Sequence, residues 1–117
     1  MKKYMLMLKG RNFRIEIDGK LEKLGFYTTR WVEAQNPEDA ELEALDLVRQ
    51  DVSLKASVRN DRDDPPMIYL EELCEVERFE GINVPGAGYS FYPDKEEDEP
   101  SVNKSLKRDA AKGRRAP

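Results

Sequence analysis

Apolar positions recur with a period of two over much of the first third of the chain. Residues 4–9 (Tyr-Met-Leu-Met-Leu-Lys) are apolar on both faces and read as a strand. Gly10, Arg11 and Asn12 read as a short turn. Phe13, Ile15 and Ile17 then alternate with Arg14, Glu16 and Asp18, the pattern of a half-buried strand. The two runs together predict a hairpin, and Asp18 with Gly19 forms a second turn dipeptide. A third strand is predicted over residues 25–34, rich in aromatic and β-branched types. Phe26, Thr28, Arg30, Val32 and Ala34 share one of its faces, and Tyr27, Thr29, Trp31 and Glu33 share the other.

The period then changes to that of a helix. Asn36 is an N-cap type, Pro37 suits the first helical position, and Glu38 and Asp39 complement the positive end of the helix dipole. Ala40, Ala44, Leu45, Leu47, Val48 and Val52 fall on one broad face, with Glu38, Glu43, Asp46 and Gln50 outside. A helix over about 37–51 follows. Residues 52–60 carry two patterns. Val52, Leu54, Ala56 and Val58 alternate as in a strand, whereas Ser53 as a cap before Leu54 suggests a helical turn. The helical turn is preferred, because Asn60 to Pro66 then serves as the loop to the next strand.

That strand is predicted over about 67–79, long and apolar on both sides, with a bulge near Glu71 and Glu72. Ile68, Leu70, Cys74 and Val76 are assigned to one face, and Met67, Tyr69, Leu73 and Phe79 to the other. Gly81 and the run Pro85-Gly-Ala-Gly88 make a flexible connection, and Tyr89-Ser-Phe-Tyr92 is a candidate edge strand. The expected fold is α+β, in the order β-β-β-α-β with that edge strand. An antiparallel sheet of four or five strands would carry one main helix on one face. One domain is expected over residues 1–92. Residues 93–117 divide into an acidic linker and a basic tail too poor in apolar residues to order alone.

Composition narrows the function classes. The 117 residues include 20 Lys+Arg and 24 Asp+Glu, for a net charge of −4. Residues 1–92 hold 13 basic and 18 acidic side chains, a net of −5, so the body repels a phosphate backbone. No apolar stretch approaches the roughly 18 residues of a membrane-spanning helix. There is no histidine, which removes the commonest general base and metal ligand. Cys74 is alone, which excludes a disulfide scaffold and suits a reducing compartment. The basic, apolar start resembles a signal peptide but stops at Lys9, Gly10 and Arg11, so a cytoplasmic protein is expected.

Three segments carry a resemblance: Gly25-Phe-Tyr-Thr-Thr-Arg-Trp-Val-Glu-Ala34, Pro65-Pro-Met-Ile-Tyr-Leu-Glu-Glu72 and Gly86-Ala-Gly-Tyr-Ser-Phe-Tyr92. They resemble a small family of bacterial proteins of unknown function, and the resemblance implies no activity. The element order is also similar to that of HicB-like antitoxin domains, which are partner-binding modules. That second likeness is topological and fixes no function.

Candidate chemistry is sparse. Asp61, Asp63 and Glu72 have the spacing of a calcium loop, but Pro65 and Pro66 occupy the place of a ligand and the turn glycine. A solvated acidic loop is the expectation. Gly86 and Gly88 lack the third glycine and the helix of a dinucleotide site. Cys74 has no histidine to activate it and reads as a buried structural thiol. Glu71 and Glu72 point to opposite faces of a strand and so cannot flank one substrate; Glu72, if inward, would need Arg30 or Arg14. No enzyme activity, cofactor or metal is expected.

The best surface candidate is an aromatic sheet face. Tyr27, Thr29, Trp31 and Tyr69, with Arg30 or Glu33 setting orientation, would bind a protein partner or a second copy; a sheet edge is the other surface that could do so. The alternative is a nucleic-acid-associated protein whose tail residues Lys104, Lys107, Arg108, Lys112, Arg114 and Arg115 contact phosphates.

Overall fold

The computed structural model describes residues 1–95 and 113–115. Its order is β1 (Lys2–Ile17), β2 (Lys20–Ala34), α1 (Pro37–Arg49), α2 (Val52–Ser57), β3 (Met67–Val76), β4 (Ser90–Pro93) and β5 (Gly113–Arg115). β1 to β4 form the body of an antiparallel sheet, and the three-residue β5 lies against the outer edge of β3. The order across the sheet is β4-β2-β1-β3-β5.

The first two predicted strands are one. β1 runs without a turn through Gly10, Arg11 and Asn12 and pairs along its length with β2, which begins earlier than expected, at Lys20. The hairpin turn is Asp18 and Gly19, with φ of 51° and 80°, the paired left-handed conformation that matches the twist of two strands. Gly10, Arg11 and Asn12 form a bulge instead. Gly10 pairs with Phe26 and Phe13 with Leu24, so Arg11 and Asn12 together oppose Gly25. Asn12 takes φ 61°, a conformation its short polar side chain tolerates. The extra residue shifts the alternation by one. It thereby brings Phe13 and Ile15 onto the face already carrying Tyr4, Leu6 and Leu8, all buried.

That face is covered by the helices. Asn36 caps α1 by accepting from the Asp39 N–H at 2.8 Å, with Pro37 at the first turn. Ala40, Ala44, Leu45 and Val48 of α1 and Leu54 of α2 pack on Tyr4, Leu6, Leu8, Phe13, Phe26, Val32 and Ile68. Val52, expected on this face, is 79% exposed. It opens α2, whose cap is Asp51 rather than Ser53; the Asp51 carboxylate accepts from the Leu54 N–H at 3.2 Å. Val58 retains a trace of the strand pattern, a single bridge to Ile15.

β3 carries the second bulge. Leu70 pairs with Leu8 and Glu72 with Met7, which leaves Glu71 as the extra residue. The faces therefore exchange there, contrary to the simple alternation. Leu73 joins Leu70 against the core, and Cys74 and Val76 move to the opposite face, opposite Met5 and Lys3.

The folded body extends past residue 92. Pro93 belongs to β4, and the Asp94 N–H donates to the Lys23 carbonyl at 3.0 Å. Asp94 is buried. The expected linker therefore begins after this residue. Within the expected tail, the backbone of Gly113–Arg115 is paired with residues 67–69. Lys104, Lys107, Arg108 and Lys112 lie outside the described residues.

Candidate functional site: the open sheet face

The helices cover one face of the sheet. The other is built of four cross-strand rows fixed by register. Tyr27, Lys9 and Tyr69 form the first, Thr29, Met7 and Glu72 the second, Trp31, Met5 and Cys74 the third, and Glu33, Lys3 and Val76 the fourth. None of these twelve residues is buried, whereas their strand neighbours on the helix side largely are. Neighbouring side chains in a sheet thus differ in exposure because, among the described residues, the helices cover one face alone.

Aromatic groups gather at one end of this face. The Tyr27 and Tyr92 rings lie 5.6 Å apart, and Lys9 Nζ sits 5.5 Å from the first centroid and 5.8 Å from the second. A lysine over two ring faces is held by their negative quadrupoles. Tyr92 reaches this position because it pairs with Gly25, where any Cβ would collide with the tyrosine ring. Burial pushes the Tyr92 hydroxyl up to about 12, and the Asp94 charge adds to the effect. At the other end Lys3 lies 3.9 Å from Glu33 and 6.0 Å from the Phe79 ring.

Trp31 occupies the third row. Its backbone N–H donates to the Pro85 carbonyl at 2.9 Å, which ties the 81–88 loop to the free edge of β2. Gly86, at φ 96°, lies against the indole carbons Cε3 and Cζ3. A side chain there would strike the ring, so the close approach requires glycine. The loop supports the indole edge and leaves the ring partly exposed.

Tyr27, Thr29, Trp31 and Tyr69 therefore share one face, as the alternation predicts. Arg30 does not. It is 3% exposed on the helix side, where its Nη1 donates to Thr28 Oγ1 and to the Thr29 carbonyl at 2.9 Å. Its guanidinium lies 5.2 Å from the Tyr89 ring centroid. Tyr89 in turn donates to an Asp51 carboxylate oxygen at 2.7 Å, and Thr28 donates to the Gly88 carbonyl at 2.7 Å. The Tyr89 hydrogen bond is the main reason the Asp51 carboxyl sits below its ordinary value, and burial opposes it. Burial, then that same bond, pushes the Tyr89 hydroxyl up. Arg30 thus joins β2, the 86–89 loop and the start of α2, and cannot orient a partner on the open face.

Glu72 is exposed on the open face, so it needs neither Arg30 nor Arg14. Arg14 instead lies 3.4 Å from Asp64. Cys74 is half-buried on the same face rather than sealed in the core. Asp61 and Asp63 are exposed, as expected of a solvated loop, and the ends of the loop are anchored. Asn60 accepts from the Arg14 N–H at 2.9 Å and donates to the Asn12 carbonyl at 2.7 Å. Asp64 accepts from the Asn12 side chain at 2.9 Å. These groups hold the β1 bulge, and no cluster of metal-ligating side chains occurs among the described residues.

Met5, Met7, Lys9, Cys74 and Tyr92 also belong to the face, and alternation alone does not single them out. The period-two pattern of residues 4–9 contained Met5 and Met7, but with both faces apolar it did not distinguish core from surface. Among the described residues, no helix is long and apolar enough to cross a membrane. No family model matches the chain, and no curated protein or solved structure matches it.

Proposed function

We propose that the protein is a small cytoplasmic interaction module that binds a protein partner, or a second copy of itself, through the open sheet face. The supporting observation is the uncovered third row, Trp31, Met5 and Cys74, flanked by Met7, Tyr27 and Tyr69. Tryptophan, tyrosine and methionine are the types enriched where protein interfaces lose water. The charged residues Lys3, Lys9, Glu33 and Glu72 rim these apolar groups and would fix the orientation of the partner in place of Arg30.

Native mass spectrometry of the chain, isolated at low salt from its own cells, tests this reading. The expected result is a defined complex with a protein or a second copy. The complex should be lost in Met5→Glu, which places a charge in the middle of the patch. A complex that survives Met5→Glu unchanged, or a bare monomer at every concentration, overturns it.

A further inference from the structure

The β1 and β2 columns of the open face complement each other row by row. Lys3 stands beside Glu33, Met5 beside Trp31, Met7 beside Thr29 and Lys9 beside Tyr27. None of these pairs is used up within the sheet. Lys3 Nζ lies a long 3.9 Å from Glu33, and the two side chains are 35% and 51% exposed. Met5, Met7 and Trp31 are half-buried, with one side still turned to water. A surface whose adjacent columns are complementary is also complementary to its own copy, turned about a line between those columns. A two-fold interface requires that property.

Two sheets packed face to face keep their strands within about 30° of alignment, so a two-fold axis between them runs close to along the strands or across them. Charge separates the choices. An axis over β1 sets Lys3 and Lys9 on the same lysines of the second copy. An axis between β1 and β3 presses Glu72 onto Met7 and leaves Lys3 on Val76. An axis across the strands, midway along the four rows, sets Lys9 on Lys3. An axis between β1 and β2 avoids all of these. It lays Lys3 on Glu33, Met5 on Trp31, Met7 on Thr29 and Lys9 on Tyr27 of the second copy, and each contact occurs twice. The ion pairs then close one end of the interface and the lysine–ring contacts the other, with sulfur packed on indole between them.

We propose that the occupant of the open face is a second copy of this chain, packed sheet on sheet about a two-fold axis between β1 and β2. The inference rests on the open face being a docking surface, and it adds the partner and the register. Burial of Trp31, Met5 and Met7 drives the association, and Lys3 with Glu33 of the second copy fixes the alignment.

The test mixes two charge variants of the purified full chain and reads the assembly by native mass spectrometry. The natural chain should form a dimer. K3E and E33K should each weaken it by about tenfold or more, since like charges then meet twice across the axis. An equimolar mixture, with one variant isotopically labelled, should give a heterodimer at close to the natural affinity, because every altered site then meets an opposite charge on the other copy. That rescue also shows that both variants are folded. Homodimers of K3E or E33K as tight as the natural one overturn the proposal, and so does a mixture that yields no heterodimer. A natural chain that stays monomeric when pure overturns it as well. If that monomer binds a different protein and Met5→Glu abolishes the binding, the face remains a docking surface and the second copy alone is refuted.

Discussion

Asp94 shows how much one carboxylate can organise. It accepts from Arg11 Nη2 at 2.8 Å and from the Asn12 N–H at 2.7 Å, with its side chain 2% exposed. Burial raises its pKa, but the Arg11 and Asn12 hydrogen bonds and the nearby Arg11 and Lys23 charges outweigh it and hold the carboxyl below its ordinary value of 3.8. The ionised form therefore favours the fold above the unfolded value, and that contribution is lost as pH falls through the folded one. Denaturant melts should show stability declining from about pH 5 downward, and Asp94→Asn should cost about 2 kcal/mol at neutral pH and flatten that decline. Tyr4 makes the opposite case. Its hydroxyl is buried without a partner among the described residues. Tyr4→Phe should therefore raise stability, by about 1 kcal/mol in equilibrium unfolding, since it removes only a desolvated group. Partial burial, with the Asp94 charge beside it, pushes the Tyr92 hydroxyl up to about 12. Its folded value lies above the unfolded one, so its contribution holds below pH 10 and fades as pH rises toward 12. A difference titration against Tyr92→Phe should localise one transition there.

At the scale of elements, local signals and long-range ones separate cleanly. α1 was legible because its cap, proline, acidic first turn and apolar stripe lie within a few residues of one another. Asp18 and Gly19 were legible as a turn for the same reason. The β1 bulge was not. Gly10, Arg11 and Asn12 have turn-forming composition, and what keeps the strand running through them is distant in sequence: Asn60, Asp64 and Asp94. The β3 bulge is legible near Glu71 and Glu72, but the exchange of faces it produces inverts the simple alternation for Leu73, Cys74 and Val76. The bulge account makes its own prediction. Asn12→Val forces a β-branched residue into the left-handed region and deletes the side-chain bonds to Asp64 and Pro65. It should cost about 2–3 kcal/mol in equilibrium unfolding, against less for Asn12→Gly.

At the scale of the whole molecule, the described residues form a sheet with one face covered by helices and the other left open. The helix side is closed by apolar packing and by the Arg30, Tyr89 and Asp51 chain, while the opposite side leaves Met5, Met7, Trp31 and Cys74 partly in water. The aromatic half of that face was readable from the alternation in residues 25–34. The methionine half required the pairing of β1 with β2 and β3, which only the fold supplies. Trp31 is the protein's single tryptophan and lies on the β2 side of the face, next to Met5. The most direct test is therefore acrylamide quenching of its emission, followed on dilution of the protein isolated at low salt from its own cells. Docking on the open face predicts a shielded, blue-shifted indole in the concentrated sample that becomes quenchable as the complex dissociates, and a quenchable indole throughout in Met5→Glu. Equal quenching in the natural chain at every concentration, matching that of Met5→Glu, would contradict it.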